Sequence, residues 1–477
     1  MKKNNLKILF AASECAPLAK VGGLGDVIGS LPKALRKLGI DVRICLPRYG
    51  LIDFKKYGFE LFSQDIDIKT KKINIYQGLL PESSVVVYLL DNKDYFGDYG
   101  VYLGEANFLS SFQEVKRFLF FSQAVLAVFD NSDWKPDIIH CHDWHTAIIP
   151  LLIKAKSEKP EAKTLLTIHN LANQGKWNAG EILKFLELNR DELGSSETRS
   201  HENDLNILVQ GILNADLLNT VSPTYSKEIL TKEYGGGLEK VLLKRRKDIS
   251  GILNGIDYNE FDPDTDPSLK TNYSLLSLEK RVDNKIDLQR ILKLPENKDL
   301  PLFGFIGRLA HQKGIDLIGQ IIPDLVDLNC QLVILGIGDK QYEQNFLDFE
   351  KKYPRNISAQ IKFNPVLAQK IYAGSDFLLI PSRFEPCGLV QLIAQRYGAI
   401  PIGRKTGGLA DTIEDGKTGF LFEKYEAGLL VKIIKRALKV YQNKEEWERL
   451  IKKAMAKDFS WKKSAKEYIK LYKELFA

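Results

Sequence analysis

The chain has 477 residues, 44% of them hydrophobic, 27% charged and 10% aromatic. That composition excludes wholesale disorder, and no apolar run approaches the ~20 residues of a membrane span. The net charge of +7 hints at an anionic partner such as nucleic acid, but residues 424–477 alone carry 15 Lys and Arg against 7 Asp and Glu, so the rest of the chain is close to neutral. The excess falls on a helical pattern through Leu429, Leu430, Ile433, Ile434, Leu438, Val440 and Tyr441. It reads as a solvated helix face. Five widely spaced cysteines, an odd number, do not form a disulfide framework and fit a reducing cytoplasm. The opening residues read as a first strand and not as a signal peptide.

In chain order, short runs rich in Val, Ile and Leu predict strands at 7–12, 41–46, 85–90, 137–142, 164–169 and 216–221. A second series follows at 303–306, 331–335, 360–363, 377–381 and 400–402. Each run leads through a turn into a helical pattern, which indicates parallel sheets covered on both faces. There are too many units for one doubly wound sheet. A boundary is placed near residues 247–257, with a second polar connector over 262–284. The expected architecture is α/β, two Rossmann-like domains facing across a cleft. In such sheets ligands bind beyond the carboxyl ends of the strands.

Several motifs stand there. Lys20-Val21-Gly22-Gly23-Leu24-Gly25-Asp26 follows the first strand and opens a helix. Glycines at such a turn let a ligand approach the backbone and expose helix amides to an anion, and Lys20 adds a cation. A dinucleotide fingerprint is weakly supported, because Ile28 stands at the third glycine and no acidic residue follows the second strand. In His140-Cys141-His142-Asp143-Trp144-His145, His140 and His142 share a strand face, while His145 is expected on the helix past the turn. No Cys or carboxylate set of recognisable spacing completes a metal site. The favoured reading is polar groups lining a sugar pocket, with Asp143 accepting from hydroxyls. His169-Asn170-Leu171-Ala172 ends the 164–169 strand.

In the second half, Arg308 and Lys313 lie five residues apart just past a strand. Two cations there can neutralise a diphosphate leaving group. Pro381-Ser382-Arg383-Phe384-Glu385-Pro386-Cys387-Gly388-Leu389 opens a strand into a carboxylate and then a Pro at an expected helix start. The amides of Cys387, Gly388 and Leu389 would then suit hydroxyls or phosphate. Thr406-Gly407-Gly408 repeats a Gly pair opening a helix. Cys387 reads as a small packing residue.

Taken in order, Lys-Val-Gly-Gly-Leu-Gly-Asp-Val, His-Asn-Leu-Ala-x-Gln-Gly, Leu-Asn-Gly-Ile-Asp, Gly-Arg-Leu-x-x-Gln-Lys-Gly, Pro-Ser-Arg-Phe-Glu-Pro-Cys-Gly-Leu and Thr-Gly-Gly-Leu-Ala-Asp-Thr-Ile resemble the bacterial glycogen synthase and plant starch synthase family. The resemblance covers essentially the whole chain and implies a GT-B glycosyltransferase. It implies domains at 1–250 and 251–456, and a closing helix, 457–477, that crosses back onto the N-terminal domain. The implied reaction moves glucose from ADP-glucose to the non-reducing 4-hydroxyl of an α-1,4-glucan (glycogen or starch), with retention. It implies no metal, no cofactor, no nucleic acid and no membrane.

Residue by residue, the resemblance gives Arg308 and Lys313 as the diphosphate pair, His169 as a contact to the transferred glucose, and Glu385 as a carboxylate that stabilises charge or holds a sugar hydroxyl. Lys20, Gly23 and Asp26 match the nucleotide-sugar loop, Asn254 the hinge Asn, and Phe363 an aromatic against the base. Cys387, Gly388, Leu389, Thr406, Gly407 and Gly408 match the sugar and phosphate loops, and Asp143 and Asn170 are further candidates for substrate binding. The chain departs from the family at Asn173, Phe261 and the stretch Tyr95-Phe96-Gly97-Asp98-Tyr99-Gly100, and Ile393 stands where related retaining transferases carry a second Glu that bacterial glycogen synthases often lack. The alternatives are a GT-B transferase of UDP-glucose or another acceptor, and a catalytically silent glucan-binding protein.

Overall fold

A computed structural model describes residues 6–97, 100–103, 112–157, 160–193 and 203–477. Asp98 and Tyr99, part of the departing stretch above, lie outside the described residues. The chain forms two compact units, one of Met1–Asn254 with Trp461–Ala477 and one of Gly255–Ser460.

The first unit holds β1 (Lys7–Ala11), β2 (Asp41–Pro47), β3 (Glu60–Ile68), β4 (Lys71–Leu79), β5 (Val86–Asp91), β6 (Ile138–His142), β7 (Lys163–Ile168), β8 (Lys176–Asn178), β9 (Asp204–Asn206), β10 (Leu217–Thr220) and β11 (Ile249–Gly251). Among the described residues, all but β8 and β9 join one sheet in the order β11-β10-β7-β6-β1-β2-β5-β4-β3. Its centre is parallel; β3 and β4 add an antiparallel hairpin at one edge. Centre and edge differ in burial as their sequences do. Ile-Ile-His-Cys-His of β6 is buried at every position, whereas β3 is mostly exposed. The expected parallel strands are present; the hairpin went unforeseen because a half-exposed antiparallel strand has no continuous apolar run.

The closing helix, Trp461–Glu474, packs on the Gly23–Lys37 helix within this unit. Trp461, Ala465, Tyr468, Leu471 and Tyr472 enter its core. That is a helical i, i+3, i+4 stripe, with the lysines on the other side. Two buried hydroxyls fasten it: Tyr472 to His140 Nδ1 at 2.9 Å, and Tyr468, which accepts from Asn219 Nδ2 at 2.9 Å.

The second unit holds β12 (Leu302–Ile306), β13 (Gln331–Leu335), β14 (Ile357–Gln360), β15 (Phe377–Ile380), β16 (Ile400–Arg404) and β17 (Phe420–Phe422). They form one parallel sheet in the order β14-β13-β12-β15-β16-β17. Two sequence expectations are corrected here. The strand expected at 360–363 ends at Gln360, because Asn364 caps the helix Pro365–Gly374 by accepting from Leu367 N. Residues 262–284 are no free connector. Tyr273 is fully buried and donates to Tyr397 O at 2.7 Å, while Asp266 accepts from Tyr397 Oη at 2.7 Å.

Candidate active site

In the first sheet the chain turns outward in both directions from β1, with β2 on one side and β6 on the other. Such a switch point leaves a crevice at the carboxyl ends of the two strands. The residues beyond β1 and β6 stand there. β1 does not run straight into the glycines, as expected; residues 12–22 intervene, and the helix starts at Gly23. Glu14 organises that segment and was missed from sequence. It is buried, and its Oε2 accepts from Val21 N and Gly22 N at 2.7 Å each while Tyr102 Oη donates to its Oε1 at 2.7 Å. The only signal was a carboxylate directly after a buried strand. Lys20 pairs with Asp26 across the loop, and burial raises the Asp26 carboxyl above its usual range. A Cβ on Gly25 would press on Lys20 and Glu14 at 3.1–3.2 Å.

Beyond β6 the chain turns sharply at Asp143, whose φ is +54°. His145 consequently sits in a turn and not on the helix, which begins at Ile149. The side chain of Asp143 accepts from His169 N at 2.7 Å and Asn170 N at 3.4 Å, so it fixes the backbone at the end of β7. Burial pushes its carboxyl up to about 7. Asn170 in turn accepts from Ala172 N. The histidines do not converge on one point. His140 binds Tyr472 Oη and Thr167 Oγ1, at 2.9 and 2.7 Å. His142 Nδ1 lies 3.0 Å from His169 Nε2. Burial lowers all four imidazoles, His145 and His169 to about 3 and His140 and His142 well below the usual range, so they are neutral.

The Gln-Gly that closes the His169 motif is structural. Gln174 donates to Leu171 O and Gly236 O and accepts from Asn206, and Gly175 at φ +64° admits the Trp144 ring, which a Cβ would meet at 2.3 Å. Asn254, past β11, is buried with its Oδ1 unpartnered among the described residues.

The second sheet has its switch point between β12 and β15. Arg308 and Lys313 follow β12; residues 381–389 follow β15. Lys313 Nζ binds both oxygens of Glu385, at 2.9 and 2.7 Å, and Ser382 Oγ donates to Glu385 Oε2 at 2.8 Å. Glu385 is 5% exposed. Arg308 is exposed, with one long bond to Gln312 Oε1 at 3.4 Å. The expected pair of cations is therefore unequal: one is held by a carboxylate and the other is open.

Pro386 does not start a helix. Gly388 has φ +76°, and the helix begins at Val390, with Gln391 Nε2 donating to Cys387 O and Gly388 O. Cys387 is buried. The Thr406 segment lies directly against this loop. Gly408 N donates to Glu385 O at 3.0 Å, and a Cβ on Gly407 or Gly408 would fall 2.0 Å from Glu385 O or Cys387 O. Only glycines allow that approach. Phe363 is 79% exposed.

Residues 7–244 match the starch synthase catalytic domain family, and residues 289–457 match glycosyl transferases group 1. A glycogen synthase of Desulforudis audaxviator is 45% identical, covering 98% of this chain and 96% of its own. One from Thermotoga petrophila is 43% identical, covering 99% of both. The chain belongs to the glycogen and starch synthase family. Among solved structures, the catalytic domain of starch synthase IV from Arabidopsis thaliana, bound to ADP and acarbose, superposes with a TM-score of 0.90 at 35% identity over 99% of both chains. A sucrose-phosphate synthase from Thermosynechococcus elongatus shares the fold, with a TM-score of 0.63 at 17% identity. This family member therefore has the GT-B fold and is a glycosyltransferase of the glycogen synthase type. Among its described residues no helix is long and apolar enough to cross a membrane.

Proposed function

We propose that this chain transfers glucose from ADP-glucose to the non-reducing 4-hydroxyl of an α-1,4-glucan, retaining the anomeric configuration and releasing ADP. The observation that carries this reading is the set at the second switch point: exposed Arg308 beside Lys313, which is bonded to the buried Glu385. Departure of ADP develops charge on a diphosphate. Preplaced cations stabilise that charge without reorganising at the moment of reaction, which is commonly the largest catalytic contribution. Arg308 and Lys313 fill that role, with the Gly407-Gly408 loop close by. The neutral His169 and the backbone that Asp143 fixes meet the transferred glucose, together with Asn170 and the Lys20, Gly23 and Asp26 loop. Asn254, Cys387, Gly388, Leu389 and Thr406 complete the contacts, and Phe363 stacks on the base.

Glu385 is a poor candidate for a nucleophile, because both its oxygens are already hydrogen-bonded and its charge is offset by Lys313. This supports a charge-stabilising or sugar-holding role. Retention then arises from front-face attack, with the leaving phosphate taking the acceptor's proton, in preference to double displacement through Glu385. The acarbose and ADP in the Arabidopsis starch synthase support the same two partners here. The five cysteines, all free and buried, support a cytoplasmic setting.

The deciding experiment supplies glycogen with ADP-glucose or UDP-glucose and measures nucleotide diphosphate release. ADP release that depends on glycogen is expected. A strong preference for UDP-glucose would favour the UDP-glucose transferase instead, and no release from either donor would favour a silent glucan-binding protein.

A further inference from the structure

The reaction as described gives His142 no task, yet its surroundings are unusually constrained. The residue is fully buried. Thr146 Oγ1 accepts from its N at 2.7 Å and donates to its O at 3.0 Å, so its backbone is clamped from one side chain. Its ring stacks on Phe10 at 5.3 Å and 26° and lies beside His140 at 4.1 Å. Its Nδ1 meets His169 Nε2 at 3.0 Å, and its Nε2 has no hydrogen-bond partner among the described residues.

Two neutral imidazoles in contact share one hydrogen bond, so one nitrogen donates and the other accepts. If His169 Nε2 donated, His142 would carry its own proton on Nε2. That N–H would be buried without an acceptor, and the near-parallel Phe10 ring offers it no π face. Orphaned buried N–H groups are rare and costly. If His142 donates from Nδ1, its buried Nε2 is a bare lone pair, its own N–H is used, and the remaining N–H falls on the His169 ring, which is only partly buried. The second arrangement forces His169 to accept at Nε2 and to carry its proton on Nδ1.

We infer that His142 is a positioning residue: it fixes the tautomer and ring orientation of His169, so that His169 offers a neutral Nδ1–H donor, suited to a sugar hydroxyl, at the carboxyl end of β7. This rests on the reading that His169 meets the transferred glucose. Burial keeps both rings unprotonated at neutral pH, so the donor is an imidazole and not a cation. Two neighbours hold the arrangement: Asp143 fixes the His169 backbone, and His142 fixes its ring. The other ionisable groups facing this pair are His140, at 4.1 Å from the His142 ring, Asp143, and His145, whose imidazole is lowered in part by His169.

The test begins with the ligand-free protein labelled with ¹⁵N-histidine. His169 should show a protonated Nδ1 and an acceptor-type Nε2, and His142 the same pattern. His142→Leu should then lower kcat about 10- to 100-fold, with the donor KM changed less than about threefold. His142→Asn, whose amide returns an N–H near the position of Nδ1, should recover most of the loss. A proton on His169 Nε2 in the unsubstituted protein overturns the proposal. So do equal kcat losses in the Leu and Asn variants at unchanged melting temperature, or full activity of His142→Leu. Should the Leu variant not fold, the spectrum of the unsubstituted protein and the Asn variant decide. Failure of the glucosyl-transfer reading is separate: it appears as no ADP release from the unsubstituted protein and leaves the spectrum untouched.

Discussion

The two switch points are built from opposite chemistry. At the first, the ends of β6 and β7 carry four imidazoles held below their usual range and a carboxyl, Asp143, pushed up to about 7, while Lys20 pairs with Asp26 beyond β1. Its work is hydrogen bonding from fixed positions, with Glu14 and Asp143 spending their oxygens on backbone amides. At the second, β12 and β15 end in full charges, Arg308 open and Lys313 bound to Glu385. A neutral site suits an uncharged sugar, and a charged site suits a leaving diphosphate.

The charged site should be the more sensitive. Arg308→Ala and Lys313→Ala are each expected to lower kcat by about 10²–10³, the scale of losing one charge-stabilising donor, and Glu385→Gln by a similar factor. Near-normal turnover of any of the three would place that group outside the chemistry. Thermal melts sharpen the inequality of the two cations. Lys313→Ala strands a buried carboxylate and should lower the melting temperature, whereas Arg308→Ala removes an exposed side chain and should not.

The neutral site should dominate the pH dependence of stability. Below about pH 6.5 each unfolded imidazole takes up a proton that the folded state refuses until a much lower pH, about 3 for His145 and His169. Stability from His140, His142, His145 and His169 is thus present above 6.5 and lost as the pH falls. Asp143 acts with opposite sign. Its contribution is present below its ordinary value of 3.8 and is lost as the pH rises through about 7. Four groups outweigh one, so the melting temperature should fall from pH 7 to pH 5, and Asp143→Asn should steepen that fall. A flat profile between those values would refute the neutral-histidine picture.

The closing helix tests whether the neutral network is only structural away from His169. Tyr472→Phe leaves His140 Nδ1 buried without its partner, at a cost of about 1–3 kcal/mol, visible as a lower midpoint in urea. Turnover should hold, because the His169 ring is held by His142 and not by Tyr472.

How much of this was legible depended on where the information sits. Parallel strands such as β12 and β13 announce themselves as apolar runs, and the residues within each of the Gly, Arg-Lys and Glu-Pro-Cys-Gly motifs lie close together in sequence. The β3–β4 hairpin was hidden because its residues are largely solvated, and the Asp262–Asn284 stretch because its polar composition masks Tyr273 and Asp266, which reach across to Tyr397. Glu14 and His142 were opaque for a different reason. Their partners lie 7 to 88 positions away, at Val21, Tyr102 and His169 among others, and no local pattern encodes which carboxylate or imidazole will be spent on holding another group. Nor did sequence show that Lys313 and Glu385, 72 positions apart, would bind each other.

Phe363 is where the second unit departs from its own pattern, as an exposed uncharged ring just past β14. Its ring is 79% exposed and its loss should leave stability unchanged. Stacking of a base on an aromatic ring contributes about 1–3 kcal/mol, so Phe363→Ala should raise the donor KM about tenfold while altering kcat little. The contact forms equally before and during glucosyl transfer, which is why it appears in KM. A purine covers more of the ring than a pyrimidine, so the penalty should be larger with ADP-glucose than with UDP-glucose. Unlike Arg308→Ala, the defect should also be insensitive to salt, since no ion pair is screened. An unchanged KM would show that the base is held elsewhere, and that the second site works by charge alone.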